Sequence, residues 1–253
     1  MSGLLDHPFL ILVVTFAAYW FAARIGSYLH SRQINADGNI FEDFKLVLGA
    51  TLTLLGLIIG FTFSMAVSRY DQRKNLEEEE ANAIGTEYAR VELFPHDDAV
   101  KLQTLLRSYL DQRILFYTHA QASQLRDINE HTRQLQTEMW AAVLKPASEN
   151  STPVTTTVVT GMNDVLNSQG YTQAAWWNRI PIAAWSLLGL IGVFCNVLMG
   201  YVAQGRSRSV LLIVPIALAI SFFLIADIDS PGWGVIRVHP QNLESLASTL
   251  RSP

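Results

Sequence analysis

The stretch from Phe44 to Glu80 reads FKLVLGATLTLLGLIIGFTFSMAVSRYDQRKNLEEEE, and it decides the fold of this chain. Its first part, up to Val67, is apolar and long enough to cross a bilayer, which takes about 20 residues. The polar second part follows without a proline to break the helix. The sequence therefore predicts one helix that leaves the membrane and continues into water. Such a helix suits a channel, a transducer or an assembly scaffold.

Three further segments have the length and composition of membrane helices. They run from Pro8 to Leu29, from Ile180 to Val202 and from Val210 to Ala226. Hydrophobic residues make up 50% of the chain, and aromatic residues gather at the span ends, where the bilayer interface favours them. The chain is therefore predicted to be an all-α integral membrane protein with about four transmembrane helices.

A polar block of about 110 residues separates the two pairs of spans and is long enough to form a small domain. The predicted organisation is a first transmembrane pair over residues 1–67, a soluble helical domain over 68–177, a second pair over 178–227 and a C-terminal tail over 228–253. With an even number of spans, the polar block and both termini are expected on one side of the membrane.

Apolar residues within the polar block recur at helical spacing, which predicts an antiparallel helical bundle. One helix is expected to begin after Pro95, another to end before Pro146, and the last to end at Gly170. The segment VTTTVVT, from Val154 to Thr160, is rich in β-branched residues and is also compatible with a strand. A single short strand without a partner is unstable, so a helix packed by its neighbours is favoured.

Small or hydroxyl-bearing residues lie near one helical face of the second span, namely Gly49, Thr53, Gly56, Gly60 and Ser64. Such residues let helix backbones approach closely in lipid. Two interpretations follow: the face packs against helices of the same chain, or it repeats around a symmetry axis and lines a pore or an oligomer seam. In the second case, Phe61 or Phe63 is a candidate for a hydrophobic constriction.

Asp227 and Asp229 end the fourth span, on the same predicted side as Arg69 at the end of the second span. Ionisable groups at a membrane edge are costly unless they are paired or hydrated. Arg69 is therefore a candidate ion-pair partner of one of the two aspartates. The alternatives are an ion-attracting ring at a pore mouth and capping of the helix end by Asp229.

An acidic strip follows the second span and includes Glu77, Glu80 and Glu87. A charge run on a helix is ordinarily a solvated face. In a ring of subunits, these three residues are candidates for the lining of a vestibule that attracts cations.

The remaining sequence argues against several classes of function. The net charge is -4 and basic residues form no stripe, so nucleic acid is not an expected partner. The histidines show no metal-ligand spacing, and the sequence has no phosphate-binding loop, nucleophile elbow or dinucleotide fingerprint. Neither a metal, a cofactor nor an enzymatic activity is predicted.

Two segments carry a resemblance to a known family: GFTFSMAVSRYDQRKNLEEEEANAIGTEY, from Gly60 to Tyr88, and ADIDSPGWGVIRVHPQNLESL, from Ala226 to Leu246. With them, the chain resembles a bacterial membrane family labelled bestrophin-like over nearly its whole length. Bestrophins are oligomeric anion channels with helical membrane segments and cytosolic helical domains. The resemblance implies a homo-oligomer in the bacterial inner membrane with its helical domain in the cytoplasm.

The leading hypothesis from the sequence is a homo-oligomeric ion channel whose second transmembrane helix lines the pore. Its partners are then the lipid bilayer, further copies of the chain and a permeating ion. The acidic strip favours cations whereas bestrophins conduct anions, so the ion stays open. The alternative hypothesis is a non-conducting membrane sensor or scaffold whose helical domain binds a partner protein.

Overall fold

The computed structural model describes residues 7–32, 38–119, 122–203 and 210–251, and within these ranges it contains helices and turns but no strand. The helices are α1 (Pro8–Arg32), α2 (Gly38–Arg90), α3 (His96–Thr118), α4 (Ala122–Glu149), α5 (Pro153–Trp177), α6 (Ile182–Val202), α7 (Val210–Asp229) and α8 (Gln241–Arg251), with a 3-10 turn at Val91–Leu93. The predicted all-α fold is confirmed.

Four helical segments are long and apolar enough to cross a membrane. They lie within Pro8–Arg32, Phe41–Leu93, Pro153–Val202 and Leu211–Asp229. The first three contain a predicted span, and the fourth begins one residue after the predicted start at Val210. α2 is a single helix of 53 residues. As the sequence predicts, the helix that starts in the apolar run continues without interruption through the polar one.

The chain divides into two compact units. The membrane unit comprises Met1–Arg69 and Arg179–Arg237, and the helical unit comprises Tyr70–Asn178 and Val238–Pro253. Residues 228–253, expected to form one C-terminal tail, are thus shared between the two units.

Within the membrane unit, α1 packs against both α6 and α7. The backbones of α1 and α6 come close together because glycine stands at their contact. A Cβ atom added at Gly26 would overlap the backbone of Val197, and one added at Gly200 would overlap that of Ala23. Small residues therefore serve helix association inside this unit, as is common in lipid.

The helical unit is a bundle in which α3, α4, α5 and α8 share one hydrophobic core with the C-terminal part of α2. Burying a large apolar side chain stabilises a fold by about 1.5–3 kcal/mol. Each of the five helices contributes a side chain that is fully buried: Ile84, Leu106, Met139, Met162 and Leu243.

α5 begins with a capping box, which explains why a β-branched segment is helical. The side chain of Thr152 accepts a hydrogen bond from the backbone of Thr155, and the Thr155 side chain bonds back to the backbone of Thr152. This arrangement satisfies two donors at the helix start. The helical interpretation of Val154 to Thr160 is therefore correct.

Two predicted helix ends are wrong. α4 continues through Pro146 as far as Glu149. A proline in the last turn removes one backbone donor, yet its carbonyl still accepts from Asn150 at 3.1 Å. α5 likewise passes Gly170 and ends at Trp177. A glycine inside a helix costs about 1 kcal/mol, which packing on both sides of it outweighs.

Candidate functional site

The membrane half of α2 has a buried face and an open face. Leu55, Thr62 and Ala66 are buried within the chain. Gly60 faces away from them, since successive residues turn by about 100° and Thr62 therefore lies about 200° from Gly60. Gly56 lies to one side, about 100° from Leu55. A Cβ atom added at either glycine would meet no described atom within 4 Å. The small residues therefore lie outside the buried face.

The other small residues of this face are open as well. Thr53 and Ser64 are exposed, and a Cβ atom added at Gly49 also meets no described atom within 4 Å. The hydroxyl of Thr53 bonds to the carbonyl of Gly49 at 2.9 Å, one turn earlier in the same helix. Among the described residues, the small-residue face therefore has no packing partner in the chain itself.

Two phenylalanines flank the small-residue face. Phe61 is 65% exposed and Phe63 is 40% exposed. Phe63 lies about 60° from Gly60 around the helix, whereas Phe61 lies about 100° away on the other side. Phe63 is therefore the aromatic ring that stands closer to the small residues.

In the membrane unit, a buried carboxylate lies close to two arginines near the ends of the spans. Asp229 is 2% exposed and lies at the end of α7. Its oxygens are 3.8 Å from Nη1 of Arg69 and 3.3 Å from Nε of Arg179. The backbone N–H of Ile180 also donates to it at 3.2 Å. Arg69 and Asp229 are thus brought together, with Arg179 and Ile180 as partners that the sequence did not suggest.

Asp227 has different partners. Its carboxylate accepts hydrogen bonds from the backbone N–H groups of Val235 at 2.7 Å and Ile236 at 2.9 Å. A Cβ atom added at Gly234 would lie 2.5 Å from the carbonyl oxygen of Asp227, so only glycine fits there. This arrangement folds the segment after α7 back onto the helix end, and it gives Asp227 and Gly234 of the quoted segment ADIDSPGWGVIRV a structural role.

Glu77, the first residue of the acidic strip, lies inside the helical unit and caps α8. One carboxylate oxygen accepts from the backbone N–H groups of Asn242 and Leu243, both at 3.0 Å. The other oxygen accepts from the side-chain amide of Asn242 at 2.7 Å. A carboxylate at a helix N-terminus satisfies free donors and complements the positive end of the helix dipole.

Glu80 is the centre of a buried polar network. It forms an ion pair with Arg113 of α3, and neither side chain is exposed. Tyr117 and Thr172 donate to the same carboxylate at 3.4 Å and 3.3 Å. Burial alone would lower the pKa of Arg113, but the charge of Glu80 raises that pKa above its ordinary value. The guanidinium of Arg113 therefore stays charged inside the domain.

Glu87 is also buried, but it has no such partner. Neither carboxylate oxygen makes a hydrogen bond to any described residue. Burial raises the pKa of Glu87 to about 8, against a smaller opposing effect of Arg90. The acidic strip is thus not one solvated face: Glu77, Glu80 and Glu87 point into the helical unit, while Glu78 and Glu79 are exposed.

Comparison with known sequences identifies the family. The profile of the Bestrophin-like domain matches residues 10–243, which is nearly the whole chain. The chain belongs to the Bestrophin-like family. The family resemblance stated from the sequence is thereby confirmed. Among curated protein sequences, none matches significantly.

Solved structures share the fold of this Bestrophin-like chain. One variant of a bacterial Bestrophin homologue from Klebsiella pneumoniae is 15% identical, with a TM-score of 0.61 over 96% of each chain. A second variant is 14% identical, with a TM-score of 0.64 over 96% of this chain and 97% of that one. A structure described as a membrane protein gives 14% and 0.65 over 94% and 97%.

Sequence reasoning missed two buried cations of this Bestrophin-like chain, Arg113 in the Glu80 network and Arg73. Arg73 is 2% exposed, and its guanidinium donates to the carbonyl oxygens of Ala175 at 3.3 Å and Asn178 at 3.4 Å. These carbonyls lie at the C-terminal end of α5, where a positive charge is stabilising. Arg73 lies about three helical turns before the buried Ile84 and therefore on the same face of α2, but the periodicity of apolar residues does not reveal a buried charge.

Proposed function

We propose that this Bestrophin-like protein is a homo-oligomeric ion channel and that the small-residue face of α2 lines its pore. One observation carries the proposal: no described residue packs against the glycines of this face, while another face of the same helix is buried. Small and hydroxyl-bearing residues let helices approach one another around an axis and leave room for a hydrated ion.

Membership of the Bestrophin-like family supports the proposal, because the bestrophins that the sequence resembles are oligomeric channels. We infer a location in the bacterial inner membrane, with the helical unit in the cytoplasm. The ion is left open. Of the acidic strip, the exposed Glu78 and Glu79 are the members suited to an aqueous vestibule, and they would favour cations.

The direct test is planar-bilayer recording of the purified protein after its oligomeric state has been measured. Phe63→Ala is expected to raise the single-channel conductance, because it removes the ring nearest the pore face. Phe61→Ala is the matched control, since it deletes an equally large exposed ring about 100° away from Gly60. Reversal potentials in salt gradients then identify the permeating ion.

Two results would contradict the channel. The first is the absence of current from a verified oligomer across several ions and voltages, which would favour a non-conducting sensor or scaffold. The second is an equal effect of the two phenylalanine substitutions, which would remove the assignment of the pore to this face. Gly60→Leu is expected to block conduction and serves as an independent probe of the same face.

A further inference from the structure

The carboxylate of Glu87 is buried in the helical unit and has no hydrogen-bond partner among the described residues. The side chain is fully buried on α2, and both oxygens lack a donor among the described residues. A buried ionised carboxylate without donors is costly, whereas the protonated acid is neutral and far cheaper to bury. Glu77 and Glu80, on the same helix, each have several donors. Glu87 is therefore unlike its two neighbours in the acidic strip.

The pocket around Glu87 is formed by the close approach of α5. A Cβ atom added at Gly161 would overlap Oε2 of Glu87 and lie 2.5 Å from Nη1 of Arg90. The carboxylate thus occupies the space that a side chain at position 161 would fill. It lies directly at the contact between α2 and α5, where a change in its charge acts on helix packing.

The charged groups that act on Glu87 oppose each other. Arg90, on its own helix, favours the ionised form, and Asp164, on α5, disfavours it. Asp164 is exposed, so water screens its effect. Neither group provides the hydrogen-bonded ion pair that Arg113 provides for Glu80. Desolvation therefore dominates at Glu87.

We propose that Glu87 is a proton-binding site that makes the packing of α2 against α5 depend on pH. At neutral pH the neutral acid fits the contact beside Gly161. Release of the proton to water leaves a charge there without donors and weakens the contact. This inference concerns the helical unit and holds whether or not the protein conducts ions.

The sign of the pH dependence follows from the direction of the shift. The pKa of Glu87 is about 8 in the folded protein and 4.5 for the ordinary side chain. Between these values the folded state binds the proton more strongly than the unfolded state does. Its contribution to stability therefore falls as pH rises through this window and levels off above it.

The test is thermal unfolding of the full-length protein in detergent from about pH 5 to about pH 9. The wild type is expected to lose several degrees of melting temperature over this range. Glu87→Gln mimics the neutral acid and is expected to remove most of that slope. Glu78→Gln, an exposed glutamate on the same helix, is the matched control and should keep the wild-type slope. The comparison is between the slopes of melting temperature against pH, so a variant that is uniformly more or less stable than the wild type does not affect the result.

A second measurement guards against poor folding of the first variant. Glu87→Met replaces the acid with an apolar side chain of similar length and should also flatten the slope. Infrared difference spectra at neutral pH should show the carbonyl stretch of a protonated carboxylic acid that both Glu87 variants lack. An unchanged slope in the Glu87 variants, or a spectrum that shows only ionised carboxylate at neutral pH, would overturn the proposal.

Discussion

At the scale of single residues, the surroundings of a carboxylate decide its role. Asp229 contacts two arginines and a backbone N–H, Glu80 forms an ion pair with one arginine, and Glu87 has no donor in the part of the chain that the structure describes. The side-chain chemistry is nearly the same in all three cases. What differs is the set of donors that the fold brings to each carboxylate.

The pairing of Arg69 with Asp229 gives the first prediction at this scale. Asp229→Ala should destabilise the protein more than Arg69→Ala, because the aspartate has three partners. A double-mutant cycle by thermal unfolding should give a coupling energy of about 1 kcal/mol between the two residues. Additive effects would count against the pair.

The exposed pair Glu130 and Arg133 is a control for that cycle. Its two side chains are 50% and 73% exposed and lie one turn apart on α4. Surface pairs of this kind contribute little, so no measurable coupling is expected. A coupling as large as that between Arg69 and Asp229 would show that burial is not the cause of the difference.

At the scale of helices, two helix ends in the helical unit are completed by side chains of α2. Arg73 lies against the C-terminal carbonyls of α5, and Glu77 lies against the N-terminal amides of α8. Helix ends leave unpaired backbone groups that must be satisfied when they are buried. α2 therefore orders its neighbours through charges as well as through apolar contacts.

The capping of α8 by Glu77 leads to a prediction. Glu77→Ala removes the acceptor for three hydrogen bonds and should destabilise α8 by about 1–2 kcal/mol. Hydrogen exchange measured by mass spectrometry should then speed up in Gln241–Arg251. Glu79→Ala, at an exposed position, should leave that exchange unchanged. Equal exchange in the two variants would show that Glu77 does not hold α8.

At the scale of the whole molecule, the glycines of the spans fall into two classes. At Gly26 and Gly200, neighbouring backbone of the membrane unit occupies the space that a side chain would take. At Gly56 and Gly60, no described atom lies within 4 Å of that space. The first class serves the fold of one chain. The second class lies on the face that the proposed channel turns toward its pore.

A matched pair of substitutions separates these two classes. Gly200→Leu should prevent stable folding, because its Cβ atom alone overlaps the backbone of Ala23. Gly56→Leu should leave the helical circular dichroism signal and the oligomeric state unchanged and lower the conductance, because the proposed channel turns this residue toward its pore. Circular dichroism and light scattering after size-exclusion chromatography measure folding and assembly, and planar-bilayer recording measures conduction. An unchanged conductance in a folded Gly56→Leu oligomer would contradict the assignment of that face to the pore.

The sequence predicted the membrane helices well, because about 20 apolar residues in a row have few other solutions. It also identified Arg69 and Asp229 as candidates for an ion pair, since the second and fourth spans are predicted to end on the same side of the membrane. The acidic strip was harder to interpret. Whether Glu80 is solvated or buried depends on Arg113, which lies 33 residues away, and no local pattern encodes that contact.

The buried residues of α2 in the helical unit determine whether that unit can be separated from the rest of the chain. The polar block between the spans looks like an insertion that could be cut out at Pro95, where α2 has ended. However, the core of this block includes Ile84, and its buried ion pair includes Glu80, and both residues belong to α2. Two further side chains of α2 hydrogen-bond to helix ends in this block: Arg73 to the C-terminal end of α5 and Glu77 to the N-terminal end of α8. A fragment cut at Pro95 would lose all of them. The helical unit is therefore not a separable module, because part of it is formed by α2, which also supplies a span of the membrane unit.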